Sequence, residues 1–581
     1  MSGDRRQKRA APAGKKAVQS PAVRAAGAGI GALLNQAVQR HKSGELAEAV
    51  VLYEQALSLN PNIPEALSNL ALALKDLGQP DAAIARYQQA LALKPNAPEI
   101  LSNLGVLLKG QGRTDEAIAC YQKALALKPD SPNAHSNLGN ALKDQGRFDE
   151  AIACYRQALA LRPGYPEASW NLGSAIFDMH YSERYCDHNT LDAALLYGRH
   201  VSRGNPRKDF ANATDPKRRL RIGYVSADFR NHAVAFLFYG TLAAHDPAEV
   251  EVYLYSNSRD DDDMTARLRS LAHDWRTIVG TSDADVEAMI RRDGIDILVD
   301  LAGYAAGQRL PLFALKPAPV QATWLGYLDT SGLAAMDYFL TDRFVVPTED
   351  KASFSETVEY LPDVHFCFSP AGLDVPIVAR SDMTRLTLGS FNTWTKVSDG
   401  TIALWSRIMS EIPDCQLLLK TTQLDNPATR SQAIERFAAH GISADRLILE
   451  TTFSPARSDS LAVYNRIDIA LDPFPYNGCT TTVEALWMGV PVVTLRGKRS
   501  VARAAEAILT VAGLPNLVAD DGDAYVKTVK ALAEDRIYLR ALKSGLRATL
   551  EKSPIFDCAK FAQALEGLYR NMWRNWCSSH S

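Results

Sequence analysis

Two kinds of hydrophobic periodicity divide the chain. Over residues 30–163, Leu, Ala and Tyr recur at helical spacing, and the whole pattern returns every 34 residues. Tyr53, Tyr87, Tyr121 and Tyr155 keep that step, as do Gly44, Gly78, Gly112 and Gly146, and Pro61, Pro95, Pro129 and Pro163. A glycine allows the tight turn between two helices, and a proline stops the second one. From about residue 217 the pattern changes to short β-branched runs alternating with helical stretches. Runs at 220–226, 250–256, 295–301 and 320–327 form one series; runs at 386–392, 415–421, 446–451, 467–473 and 491–495 form a second. Strand–helix alternation predicts parallel sheets covered on both faces, here in two consecutive lobes.

The 34-residue period is the tetratricopeptide signature. It gives four full repeats and a last A helix near 164–177, where Trp170 and Leu172 can face another partner. The expected fold is therefore an α-solenoid, a tetratricopeptide superhelix with a concave groove, followed by two Rossmann-like α/β lobes. The expected divisions are a disordered basic tail (1–29), the repeats (30–177), a helical linker (178–216), an N-terminal lobe (217–382) and a C-terminal lobe with closing helices (383–581).

Composition narrows the function classes. The chain has 581 residues and a formal net charge of −2, which argues against a nucleic-acid protein working through a basic surface. No run approaches the roughly 18 apolar residues of a membrane span. The first 29 residues carry seven basic side chains and one acid, with no apolar stretch after them, and read as a tail rather than a signal peptide. The eight cysteines are scattered, without CxxC or zinc spacing, which fits a reducing, cytoplasmic setting. Neither GxxxxGK[ST] nor GxGxxG follows any candidate strand, which disfavours a P-loop ATPase or a nicotinamide dehydrogenase.

The best chemical motif is "DPFPYNGCTTTVEALWMGVPVVTLR" at 472–496. Gly478 permits close backbone approach, and Cys479, Thr480, Thr481 and Thr482 stand where a helix begins, an anion site suited to a diphosphate. Glu484, expected in the first turn, could accept from ribose hydroxyls. The alternative is an ordinary N-cap with an acid favoured by the helix dipole. Lys396 follows the 386–392 strand, at the same cleft edge. His232 follows the first strand of the other lobe and suits a base or an orienting group. "RDDDD" (Arg259–Asp263) reads as a helix start rather than a metal motif. Asn69, Asn103, Asn137 and Asn171 also keep the 34-residue step. A row of amides can grip a peptide backbone, or it can simply support packing.

Together these residues make the chain resemble the O-GlcNAc transferase/SPINDLY family, the family 41 glycosyltransferases, from about residue 30 to 575. The stretches that carry the resemblance are "LRIGYVSADFRNH", "GQRLPLFALKPAPVQATWLGY", "TSGLAAMDYFLTD", "SFNTWTK" and "LDPFPYNGCTTTVEALWMGVPVVTLRG". The resemblance implies a GT-B fold and inverting transfer from a nucleotide sugar to Ser or Thr hydroxyls of proteins, with no metal and no cofactor. It implies roles for His232 in the active site, Lys396 and the Thr480–Thr481 pair on the donor diphosphate, Glu484 on the ribose, and the asparagine ladder on the acceptor. Cys479 stands where the animal enzymes have His, Thr393 where they have Gln, Ser460 where His is common, and Leu328 where Pro is usual. The motif is closer to the SPINDLY branch, whose plant members transfer fucose from GDP-fucose. The expected function is protein O-glycosylation from UDP-GlcNAc. The alternatives are GDP-fucose as donor, or a tetratricopeptide scaffold with a degenerate transferase domain. Expected partners are protein acceptors in the groove and the nucleotide sugar, with neither nucleic acid nor a membrane span. A homodimer through the convex face is left open.

Overall fold

The computed structural model describes residues 21–202, 209–370, 373–378, 385–452, 454 and 456–580. The chain divides into two units, Met1–Arg162 and Pro163–Ser581. The first 20 residues of the expected tail, residues 203–208 of the linker and the expected lobe boundary at 382/383 lie outside the described residues.

The first unit is built from α1 (Pro21–Lys42), α2 (Leu46–Leu59), α3 (Pro64–Asp76), α4 (Pro80–Leu93), α5 (Pro98–Gly110), α6 (Thr114–Leu127), α7 (Pro132–Asp144) and α8 (Phe148–Leu161). Helix α1 starts at Pro21, inside the segment expected to be a tail. The repeating glycines all sit between the two helices of a repeat with positive φ, from +70° at Gly146 to +81° at Gly44, where a side chain would be strained. A second proline ladder (Pro64, Pro98, Pro132) opens the A helices at their first residue, where the missing N–H costs nothing. Each B helix buries its tyrosine completely. In two repeats the A helix makes room with a glycine: a Cβ at Gly105 or Gly139 would come within 2.6 Å of the Tyr121 or Tyr155 ring.

The second unit opens with α9 (Pro166–Asp178) and α10 (Asp187–Val201). Leu172 of α9 is fully buried, and Trp170 stays exposed. At Gly173, one period beyond Gly139, a Cβ would come within 3.2 Å of the Tyr304 ring and 3.5 Å of the Tyr197 ring. The N-terminal lobe carries β1 (Leu220–Ser226), β2 (Val250–Ser256), β3 (Asp274–Thr277), β4 (Ile297–Asp300), β5 (Val320–Trp324), β6 (Tyr338–Thr341) and β7 (Thr357–Tyr360), in the order β3-β2-β1-β4-β5-β6-β7. The C-terminal lobe carries β8 (Leu386–Ser390), β9 (Cys415–Lys420), β10 (Leu447–Glu450), β11 (Ile469–Leu471), β12 (Val492–Leu495) and β13 (Val518–Ala519), in the order β10-β9-β8-β11-β12-β13. All pairings are parallel, and the central strands β4, β5, β8 and β11 are buried along their whole length, as sheets covered on both faces require. Helix α11 (Ala233–Ala244) follows β1. The closing helix Cys558–His580 belongs to the C-terminal stretch of sequence but packs on the other lobe. Its Tyr569 hydroxyl meets that of Tyr224 at 3.1 Å, and Glu566 meets His245 at 2.8 Å. No helix among the described residues is long and apolar enough to cross a membrane.

The connector between α9 and α10 is fixed by Arg499 of the C-terminal lobe. Its buried guanidinium donates to the Met179 carbonyl (3.2 Å), the Asp187 carboxylate (3.2 Å) and His180 Nδ1 (2.5 Å). Burial keeps His180 neutral, so its remaining proton sits on Nε2 and is donated to the Tyr327 hydroxyl at 2.8 Å, just beyond β5. One side chain therefore holds the connector and, through His180, the N-terminal lobe. Arg499→Ala strands a buried carboxylate and should cost about 3–5 kcal/mol. Denaturant unfolding of the full chain, followed by tryptophan fluorescence, should show a lower midpoint for the second unit. Arg499→Lys should recover only part of it, because an ammonium lacks the planar fork. An unchanged midpoint would refute this assignment.

Candidate functional site

The 472–496 motif folds as expected into strand, turn and helix. Strand β11 ends at Leu471, and Asp472 follows it, buried. Burial pushes its carboxyl up to about 7, against hydrogen bonds from Thr494 Oγ1 (2.6 Å) and the Gly478 N–H (2.7 Å). Gly478 is required by space: a Cβ there would meet Thr481 Oγ1 at 2.5 Å and Asp472 Oδ1 at 2.8 Å.

The helix Thr480–Trp487 starts directly after the turn, with Cys479 at its cap and no side-chain cap bond. The N–H groups of Thr482 and Val483 already bond to the Cys479 carbonyl. Those of Thr480 and Thr481 have no backbone acceptor among the described residues, and they are the groups an anion would meet. Thr481 Oγ1 donates to Asn392 Oδ1 at 3.2 Å, beyond the end of β8. Thr482, expected among the donor contacts, is buried and donates back to the Gly478 carbonyl at 3.1 Å, so its hydroxyl holds the turn. Glu484 lies a full turn into the helix rather than in its first turn, because the helix begins at Thr480. Its carboxylate pairs with Arg457 at 3.1 Å.

Lys396 ends a short turn after β8 and reaches the same loop. Its ammonium donates to the Asn477 carbonyl at 2.7 Å and lies 4.1 Å from the centre of the Tyr476 ring. Burial lowers its pKa to about 8, although Asp472 nearby favours the charged form. Tyr476 is itself wedged against Tyr181 and Phe177, at ring distances of 5.5 and 6.4 Å. Thus the connector supports the tyrosine on which the lysine rests.

His232 caps α11. Its Nδ1 accepts from the Val234 N–H at 3.3 Å, and Asp228 lies 3.5 Å from the same nitrogen. Burial lowers the pKa of this imidazole, outweighing the Asp228 carboxylate, so the ring is neutral and carries its proton on Nε2. As placed, it is a donor that can hold an oxygen, and taking a proton would require breaking the cap. Helix α11 packs against the Thr480–Trp487 helix across the lobes. Arg457 reinforces that contact: its guanidinium stacks 3.6 Å from the centre of the Phe236 ring, one turn beyond His232, while pairing with Glu484.

Asn69, Asn103 and Asn137 occupy equivalent positions of α3, α5 and α7 in the first unit, none fully buried; Asn171 lies on α9 in the second unit. Asp262 of the "RDDDD" stretch caps a helix, accepting from Thr265 N at 2.9 Å. Sequence reasoning missed Asn392, Arg457, Asp472 and Tyr476. An acid at a strand end was a usable signal for Asp472, whereas Arg457 and Tyr476 act through contacts distant in sequence.

The family model for glycosyl transferase family 41 matches residues 199–371 and 384–565, and the tetratricopeptide model matches 39–78, 72–112, 109–146 and 139–179. A probable UDP-N-acetylglucosamine–peptide N-acetylglucosaminyltransferase SPINDLY of Petunia hybrida is 37% identical over 372 residues, 63% of this chain and 40% of that one. A probable enzyme of the same printed activity, SEC of Arabidopsis thaliana, is 31% identical over 374 residues, 62% of this chain and 38% of that one. The chain thus spans less than half the length of these curated relatives. A solved mutant of the Thermobaculum terrenum O-GlcNAc transferase is 35% identical, with a TM-score of 0.71, covering 89% of this chain and 98% of that one. A two-lobed parallel fold of GT-B type, a cation and helix start converging on one turn, and a family match over both lobes agree: the chain belongs to glycosyl transferase family 41.

Proposed function

We propose that the chain is a protein O-glycosyltransferase that moves a sugar from a nucleotide diphosphate donor to Ser or Thr hydroxyls. The observation that carries this reading is the meeting of the Lys396 ammonium with the loop that presents the Thr480 and Thr481 N–H groups. Two opposed sources of positive potential suit a leaving diphosphate, where charge develops as the glycosidic bond breaks. Glu484 with Arg457 would take the ribose side. His232, as an Nε2 donor, would hold the acceptor or a donor oxygen. The asparagine ladder would take the acceptor backbone. UDP-GlcNAc is the favoured donor because the relatives' names carry it, and GDP-fucose is the alternative.

Titration calorimetry with UDP and with GDP should separate the two donors; if neither binds, the scaffold reading stands instead. Lys396→Ala should lower transfer roughly 10²- to 10³-fold, the loss expected for one preorganised charge partner. The sign of the pH dependence follows from a lysine near pH 8: the cation is present below that value and lost above it. Nucleotide affinity should therefore fall as pH rises through about 8, and Lys396→Met should flatten that fall. Transfer should survive EDTA unchanged, since no step in this reading uses a metal ion. Replacing Asn69, Asn103 and Asn137 together by Ala should raise KM for protein acceptors and leave nucleotide affinity intact; equal KM values would return the ladder to packing.

A further inference from the structure

The chain passes between the two lobes twice, and each passage carries a cysteine. Strand β7 belongs to the first sheet and β8 to the second. His365 is still held by the N-terminal lobe, where its carbonyl accepts from Trp324 Nε1 at 2.7 Å. Leu373 and Val375 are held by the other lobe: their carbonyls accept from Trp487 Nε1 at 3.4 Å and from Arg547 at 2.9 Å. Cys367 lies between these anchors. On the return, Arg547 donates to the Trp487 carbonyl at 2.8 Å, and Phe561 stacks on Trp324 at a ring distance of 6.2 Å. Cys558 lies between those two, as the first residue of the closing helix. The passages touch each other, since the Phe368 N–H donates to the Ile555 carbonyl at 2.8 Å.

The two sulfurs converge on Gly240 of α11. A Cβ there would lie 2.7 Å from Cys558 Sγ and 3.3 Å from Cys367 Sγ. Both distances are too short for a side chain, and glycine leaves the point between the sulfurs open. Thr241 Oγ1, 3.3 Å from Cys367 Sγ, fixes the direction of that side chain. Cys367 is fully buried and Cys558 half-buried, so an outside reagent meets Cys558 first. Cys558 also suits the first attack. The neighbouring Cys367 thiol lowers its pKa, against burial and Asp557, and the helix start favours a thiolate there.

We infer that Cys367 and Cys558 are a redox pair, which an oxidised small thiol converts to a disulfide that fastens the two passages together. The Cys558 thiolate attacks one sulfur of the small disulfide. A mixed disulfide forms, and the first small thiolate leaves with the electron pair of the broken S–S bond and takes up the Cys558 proton. The Cys367 sulfur then attacks Cys558 Sγ, and its proton goes to the second small thiolate as that leaves. Two protein thiols are oxidised and one small disulfide is reduced to two thiols, so a thiol reductant reverses the change. Lobes that part to exchange a ligand must bend both passages, and a covalent link between the passages resists that bending. The link also reaches the site, because the Phe368 ring next to Cys367 lies 5.4 Å from the Arg457 guanidinium that pairs with Glu484. The effect on turnover rests on the proposed transferase activity; the disulfide and the lock do not.

The test treats the full chain with oxidised glutathione and maps its peptides by non-reducing mass spectrometry. A pair linked through Cys367 and Cys558 should appear and vanish with dithiothreitol, while the exposed Cys186 stops at the mixed disulfide. Both thiols left free, or Cys558 held at the mixed disulfide, overturns the redox pair, and this result needs no variant that might misfold. Hydrogen exchange of the peptides around Phe368 and Ile555 should slow about tenfold on oxidation, and not in Cys367→Ser. Equal exchange in both redox states overturns the lock. Transfer should fall about tenfold on oxidation, return with dithiothreitol and stay constant in Cys367→Ser. A loss of the same size in Cys367→Ser overturns control of turnover by this bond. A reduced chain that transfers nothing overturns the proposed function, and the first two measurements still decide the pair and the lock.

Discussion

A guanidinium removed from water must find acceptors around it, and Arg499 finds them in places far apart in sequence. The desolvation penalty is several kcal/mol for each ion, and only complete pairing offsets it. Met179, His180 and Asp187 supply that pairing, which ties the α9–α10 connector to the C-terminal lobe. His180 is thereby forced into the tautomer that donates to Tyr327, so the N-terminal lobe is drawn into the same arrangement. Phe177 and Tyr181, on either side of that histidine, are then positioned against Tyr476, the ring under Lys396. The ring under Lys396 thus depends on an arginine remote from it in sequence.

Burial does further work at the site itself. It lowers Lys396 and raises Asp472, two groups of opposite charge that come from different turns to one loop. A cation with reduced hydration gives more to an arriving phosphate than a surface lysine would.

Much of this was legible in the residues. The 34-residue step gave the helix pairs, because each position in it has a steric reason: positive φ at Gly78, a helix stop at Pro95, a buried ring at Tyr121. The runs at 220–226 and 250–256 were read to the residue, since both are long and apolar. Strands β3, β6, β7 and β13 went unread. The first is "DWRT", mostly polar at the sheet edge, and the others are two to four residues long, too short for periodicity to register. In the site, the Gly478–Thr481 turn was legible because its spacing is local. Arg457 was not, because its role exists only once the two lobes meet. Thr482 was overread: three adjacent hydroxyls look alike in sequence, and only the helix geometry turns one of them inward.

Gly173 shows that the period of the sequence and the seam of the molecule do not coincide. By spacing, α9 is one more A helix, and its glycine keeps the place that receives a repeat tyrosine at Gly105 and Gly139. The ring it receives is Tyr304 instead, from the N-terminal lobe, with Leu172 and Ile176 buried alongside. A fragment started at residue 178, where the repeat pattern ends, would uncover Tyr304 and Tyr197 and open a trench in its own core. A fragment started at 163 keeps the trench filled. For anyone dissecting this chain, α9 is inherited from the repeats in its letters but belongs to the second unit in its contacts.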